Sequence, residues 1–468
     1  MATAAFEVLS YLGVVGIATL CFLIGWLDPN GAIVLTVLLL TSLIVLSWKR
    51  FDGGRHPCFL FLCTLMFFQG GGLLAYCLGA GNEPLRVQLM TPNPFYVSRN
   101  QSGLVLLLLA LAGICVYAPC RWNYRRFSPP SDVAVRRYLP YLYLLFFAAL
   151  PIQLFKNYRY YQHVQEHGGY LSIFLGHADL ASSVPLFVRA ISLISVPAFV
   201  AIFVFERRKR FLYTATVLYF ATTSLILLLG SRESVFALIL ALWYVARVKS
   251  AKKARILLAT VLVLGLMLVA DVIQTVRGDS EHAIENYAFL PVEFLAVQGV
   301  SLNVTEVAVK YREVFAPHAT SYLFHALQAA FIASDTSNYF RGKGLATDVS
   351  VFLSPEAFSL GHGTGGSYVG EAYVIGGVGG VVAISLLIGY GLHLLHHFSR
   401  NPLLLVVVAM VLLDVLVMPR GNLLGWLSVL LRNAISILLL VLSWALYRFL
   451  TLIRQTPVGD GLPMPSSQ

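Results

Sequence analysis

Gly361-His362-Gly363-Thr364-Gly365-Gly366-Ser367-Tyr368-Val369-Gly370-Glu371-Ala372-Tyr373 runs on through Val374-Ile375-Gly376-Gly377-Val378-Gly379-Gly380 into an apolar stretch. A flexible, glycine-rich approach thus opens a membrane-length helix, with Glu371 about one turn inside its polar end. A carboxylate at that depth is expensive in hydrocarbon and needs a partner or a task. Glu371 follows Ser367 by four residues, so the two share a helical face. Gly366/Gly370 and Gly376/Gly380 are small-xxx-small pairs, which let neighbouring helices approach closely.

Working outward from this stretch, the same apolar character fills the chain. Its 468 residues are 58% hydrophobic and 12% charged, with a mean hydropathy of +0.77. Runs of about 20 apolar residues recur from end to end, each long enough to cross the hydrocarbon core. No soluble domain of ordinary size is left between them. The expected fold is therefore all-α and polytopic, a single integral membrane domain over residues 1–468. We expect about twelve spans, near 7–27, 30–48, 57–79, 102–120, 137–155, 187–205, 211–229, 233–247, 255–274, 367–392, 402–418 and 422–447. Residues 455–468 read as a disordered tail.

The net charge of +11 does not signal nucleic acid. The basic residues sit in short clusters between spans: Lys49/Arg50/Arg55, Arg121/Arg125/Arg126/Arg136/Arg137, Arg207/Arg208/Lys209/Arg210, Arg247/Lys249/Lys252/Lys253/Arg255, Arg400 and Arg448/Arg454. All fall on alternate connections, which places that side, and both termini, in the cytoplasm. Met1 to Ser10 lacks the basic region and cleavage site of a secretory signal, so the first span is expected to be retained. Six cysteines (Cys21, Cys58, Cys63, Cys77, Cys115, Cys120) form no CxxC pair and read as packing residues, with no metal or disulfide framework.

The outer connections differ. Lys156 to Pro185 carries Tyr158, Tyr160, Tyr161, His163, His167 and Tyr170. Residues 275–366 form a loop too long for a simple connector. Within it Val297, Val300, Val304, Val307 and Tyr311 fall on one helical face, opposite Gln298, Ser301, Glu306 and Arg312. A second helix is expected around Leu323, Phe324, Leu327 and Phe331. Both would lie on the membrane surface or cap a cavity in the bundle.

Three arginines stand at outer span ends, where topology disfavours cations: Arg232, Arg277 and Arg420. They read either as snorkelling side chains paired with Glu233 and Asp279 or as an anion site, since guanidinium forks hold phosphate bidentately. Glu371, or else His362, is the candidate general base. Arg432 lies either near the midplane of the last span or at its outer end. Lys156, Arg159, Asp335, Arg341 and Lys343 are further outer charges, of the kind that solvent usually satisfies. Nucleotide-binding loops, HExxH and GxSxG are absent, as is an outer carboxylate cluster for a metal. No cofactor is expected, and a reaction on this face would draw on a pre-activated, membrane-borne substrate.

At Leu227-Leu228-Leu229-Gly230-Ser231-Arg232 the chain resembles the Gly-Ser-Arg signature of bacterial oligosaccharide repeat-unit polymerases, the Wzy-type O-antigen polymerases. Gly363 to Tyr373, followed by Gly376 to Gly380, resembles that family's glycine-serine–glutamate–tyrosine stretch after its large periplasmic loop, and Arg420-Gly421 fits the same pattern. The resemblance implies a metal-independent inverting glycosyltransferase in the inner membrane, with a GT-C-like bundle similar to the O-antigen ligases and a periplasmic active site. Donor and acceptor would be glycans on undecaprenyl pyrophosphate, and a separate chain-length co-polymerase would be a partner. Arg232, Arg277 and Arg420 would hold pyrophosphate, Glu371 or His362 would take the acceptor proton, and Ser367, Tyr368, Tyr373 and Arg341 would contact sugars. An O-antigen ligase is the nearest alternative. A transporter is a more distant one, disfavoured by the lack of an inverted repeat.

Overall fold

A computed structural model describes residues 13, 16, 19, 28–79, 86–87, 95–96, 99–122, 124, 138–167, 183–228, 232–250, 290–331, 344–359 and 363–455. Among the described residues six helices are long and apolar enough to cross a membrane, or seven if one bent pair counts as a span. An all-helical polytopic membrane protein is thus what the chain builds.

Helix α1 spans Pro29–Arg50, α2 Pro57–Phe68 and α3 Gly71–Cys77. A short antiparallel pair, β1 (Arg86–Val87) with β2 (Phe95–Tyr96), precedes α4 (Arg99–Arg121). Then come α5 (Leu139–Glu166), α6 (Leu186–Ser192), α7 (Ser195–Phe205), α8 (Lys209–Leu228) and α9 (Arg232–Lys249). The long loop contributes α10 (Leu290–Gln298), α11 (Ser301–Lys310), α12 (Arg312–Phe315), α13 (Ala319–Phe331), α14 (Leu345–Leu353) and α15 (Pro355–Ser359). The chain closes with α16 (Tyr368–Phe398), α17 (Pro402–Val415) and α18 (Gly425–Gln455).

Starts are set by side-chain caps followed by proline, whose missing N–H costs nothing in a first turn. Asp28 accepts from the Asn30 and Gly31 amides ahead of Pro29, and Asn401 accepts from Leu403 next to Pro402. The basic residues gather at one end of the bundle. Arg247 donates to the Gly53 carbonyl, and Lys249 to the carbonyls of Phe203 and Glu206, filling acceptors left open at the end of α7. Glu206 takes two amides there, two guanidinium N–H groups of Arg208 and the Tyr143 hydroxyl. Burial would raise its carboxyl, but these bonds outweigh it and bring it down to about 2.

Helix α16 is the axis of the molecule and packs most extensively on α4. At their crossing a Cβ on Gly389 would lie 2.3 Å from the Val116 carbonyl oxygen. In a bilayer, helix association rests on such close contact and on hydrogen bonds, because lipid tails are as apolar as leucine.

Several expectations need correction. The span over 57–79 is bent by 66° between α2 and α3, because Gly70-Gly71-Gly72 follows Gln69. Span 137–155 runs on as helix to Glu166, so much of the supposed outer segment after Lys156 is helical. Span 187–205 stands as one candidate span, Leu186–Phe205, within which α6 and α7 meet at a short turn at Leu193-Ile194. The loop helix over 297–311 divides at Gly299. Its expected polar face is also not at the surface, because Ser301 and Glu306 are buried. Helix α11 is wedged among α16, α4 and α14. Of the expected pair Gly376/Gly380, Gly376 has open space around it and belongs to a break: Gly377 adopts φ +61 and interrupts α16. The span near 255–274 and nearly all of 7–27 lie outside the described residues.

Candidate active site

Three breaks in the helical backbone meet at the end of the bundle opposite Arg247 and Lys249. They are the α2–α3 bend at Gln69, the glycine-rich mouth of α16 at Gly363–Ser367, and the turn Met418–Leu423 between α17 and α18. Each interruption frees backbone groups that water cannot reach, and non-helical backbone persists at such depth only when protein satisfies it or a cavity is lined by it.

The satisfaction here is specific. The Gly366 amide donates to the Arg420 carbonyl at 2.9 Å. The Leu423 amide donates to Glu371 Oε2 at 2.9 Å. Gln69 Nε2 donates to the Pro419 carbonyl at 2.6 Å and to Ser367 Oγ at 2.9 Å. The hydroxyls of Thr305 and Ser367 share a 2.7 Å bond, and Ser367 caps α16 by accepting from the Gly370 amide. A side chain on Gly366 would put its Cβ 2.8–3.0 Å from backbone atoms of Arg420 and Gly421, so glycine is required there. Glu371 is 1% exposed. Ser367 is the extended N-cap of α16 and Glu371 lies in its first turn, so the expected shared helical face is not formed; Glu371 bonds the Met418–Leu423 turn directly and Ser367 reaches it through Gln69.

Arg420 stands on that turn. Its Nη1 donates to Gln298 Oε1 at 2.6 Å, and its guanidinium lies 5.8 Å from the Phe68 ring centre. Gln298 is positioned by α10, whose backbone touches α3: a Cβ on Gly71 would meet the Leu295 carbonyl oxygen at 2.6 Å.

Around this core, α13 and α14 are tied by the Tyr322 hydroxyl, which donates to Asp348 Oδ2 at 2.9 Å. Burial first, then the charges of Asp348 and Glu371, push the Tyr322 phenol well above its usual range. Ser350 Oγ accepts from the Thr364 amide at 3.0 Å and so pins the glycine-rich mouth. Glu306, beside Thr305, is fully buried with no hydrogen bond to either carboxylate oxygen. Burial holds its carboxyl well above the ordinary range. At the α16 break, Arg312 Nε donates to the Tyr373 carbonyl and its guanidinium lies over the Tyr373 ring.

Of the residues expected from sequence, Glu371, Ser367 and Arg420 come together. Tyr373 lies just beyond, facing Arg312. Tyr368 is fully buried against Phe61 and presents no face to a sugar. Arg232 is the first residue of α9, but its side chain is not among those described, nor is that of Arg432. Arg277, Arg341 and His362 lie outside the described residues. Sequence reading missed Gln69, Thr305 and Gln298. For Gln69 a signal was present, as a lone amide followed by three glycines inside an apolar span.

Among the described residues, two groups have metal-ligand spacing. In the buried set His56, Cys58 and Cys120, two of the donor atoms are already engaged. His56 Nδ1 takes the Cys58 amide, and the Cys120 thiol donates to the carbonyls of Val116 and Gly389. The other set is His163, Glu166 and His167 at the end of α5.

No curated protein and no solved structure matches the chain. The family model for O-antigen polysaccharide polymerase Wzy matches residues 7–449, which takes in every element of the site just described. The chain therefore belongs to the O-antigen polysaccharide polymerase Wzy family.

Proposed function

We propose that this protein joins undecaprenyl-pyrophosphate-linked repeat units into a surface polysaccharide at the periplasmic face of the inner membrane, by metal-independent inverting transfer within a GT-C-like bundle of about twelve spans. Family membership over residues 7–449 carries the polymerase reading. The buried carboxylate among three broken helices supports the placement of the chemistry.

In this reading an acceptor hydroxyl attacks the anomeric carbon of the donor glycan. The bond from that carbon to the pyrophosphate oxygen breaks, and the carrier pyrophosphate leaves with the bonding electrons. Glu371 takes the hydroxyl proton, a role that a positioned base fills for about 10²–10⁴-fold in rate. The Leu423 amide fixes one carboxylate oxygen and leaves the group's basicity to the other. Arg420, held by Gln298, supplies fixed positive charge for the developing pyrophosphate, with Arg232 and Arg277 as further contributors. A preorganised cation stabilises charge that appears only in the transition state.

The lipid-linked glycans of a deletion strain test the function. A polymerase is expected to leave single repeat units on the carrier. Full-length polymer stranded on the carrier would instead identify a ligase, and a normal ladder would refute both.

A further inference from the structure

The end of α5 carries His163-Val164-Gln165-Glu166-His167. Two imidazoles four apart, with a carboxylate between them, share one side of a helix end. The rings of His163 and His167 lie with centres 4.1 Å apart. One donor atom from each of His163, Glu166 and His167 falls within 4.8 Å of the others.

The protonation pattern suits a cation. His167 Nδ1 lies 2.7 Å from the His163 carbonyl oxygen. A carbonyl only accepts, so Nδ1 carries the proton and the lone pair is left on Nε2. That is the second-sphere bond that commonly orients a metal-ligating histidine. His163 Nε2 has no hydrogen-bond partner, so rotating this half-buried ring toward Glu166 and His167 would break no internal bond. Glu166, exposed at the helix terminus, supplies an anionic oxygen. A cation here also faces the negative end of the α5 dipole.

We propose that His163, Glu166 and His167 form a binding site for a divalent transition-metal ion of the Zn²⁺ class. Two imidazoles and one carboxylate match a three-ligand zinc set, with the fourth position left to water. Donors on such an ion lie about 3.3 Å apart, as Zn–N and Zn–O lengths of about 2.0–2.1 Å require. Side-chain rotation at this exposed helix end closes the remaining distance. Helix α5 packs chiefly on α6, α7 and α8, and its ligands are not part of the Glu371 site. The ion would staple the last turn of α5, and glycosyl transfer would not depend on it.

The test uses the full chain in detergent, freed of metal by chelation and titrated with Co²⁺ as a spectroscopic stand-in and with Zn²⁺ in competition. One Co²⁺ per chain with ligand-field absorption, displaced by Zn²⁺, is expected. His163→Ala and His167→Ala should each weaken binding at least tenfold. Cys58→Ser/Cys120→Ser should leave it unchanged, which separates this site from the buried thiol group. Zn²⁺ should raise the melting temperature of the wild-type chain and not of the His163→Ala/His167→Ala variant, whose metal-free melting temperature serves as the folding control. Binding that survives both histidine substitutions, or wild-type binding no tighter than millimolar, would overturn the proposal.

Discussion

Glu306 and Ser367 show what individual side chains contribute. Glu306 is an acid whose folded-state pKa lies above its unfolded value of about 4.3. The folded protein therefore holds a proton that the unfolded chain releases, so what Glu306 contributes to stability is largest below pH 4 and falls as pH rises above it. Glu306→Gln keeps the volume and removes the ionisation. We expect it to melt at or above the wild-type temperature at pH 8 and to flatten the decline from pH 5 to 8. A variant that melts several degrees lower at pH 8 would mean that the carboxylate is paired in the folded state. Ser367 is different because it bonds to three partners at once. Ser367→Ala removes the α16 cap and leaves Thr305 and Gln69 short of a partner. Loss of a cap alone costs about 1 kcal/mol, so a fall in melting temperature larger than a simple cap loss is expected.

Helix breaks, more than helices, make the site. The long apolar runs made most helices legible, because hydrocarbon thickness dictates their length. The break in α16 was not legible: Gly376 to Gly380 looked like a packing stripe, and only the φ of +61 at Gly377 marks the interruption. A Cβ there meets left-handed strain of about 1–2 kcal/mol. Gly379 has open space around it and helical backbone, where alanine is favoured by up to about 1 kcal/mol. Gly377→Ala should therefore lower the melting temperature and Gly379→Ala hold or raise it; equal effects would remove the break from the account. Of the candidate site, Glu371, Ser367 and Arg420 were readable because polar residues at the ends of apolar runs stand out. Thr305 and Gln298 were not, because their roles depend on contacts with residues 62 to 236 positions away, and Gln69 left only the trace of a lone amide before three glycines. The amphipathic reading of 297–311 failed for a related reason. A polar residue in that loop faces other polar groups inside the bundle as readily as it faces water.

Seen as a whole, the molecule has two unlike ends. One gathers Arg55, Arg247 and Lys249 around backbone carbonyls, with Arg208 on the Glu206 carboxylate. The other carries the converging breaks and the loop helices. The orientation reading puts the second end outside. Cys77, at the end of α3, is the exposed one among the described cysteines. It should react with a membrane-impermeant maleimide on intact spheroplasts, and Cys77→Ser should remove that label. In the same background, Arg207→Cys should be labelled only after permeabilisation. Reaction of Arg207→Cys in sealed spheroplasts would invert the topology and move the site to the cytoplasmic face.

The central claim is that Glu371 accepts the proton of the attacking hydroxyl. Glu371→Gln tests it directly, because a glutamine oxygen can still accept the Leu423 amide while losing basicity. The measurement is the lipid-linked glycan ladder from a deletion strain complemented with this variant at wild-type membrane levels. The expected result is loss of long chains, with single repeat units accumulating on the carrier, as a rate loss of about 10²-fold or more would produce. An undiminished ladder from Glu371→Gln at normal protein abundance would contradict the assignment.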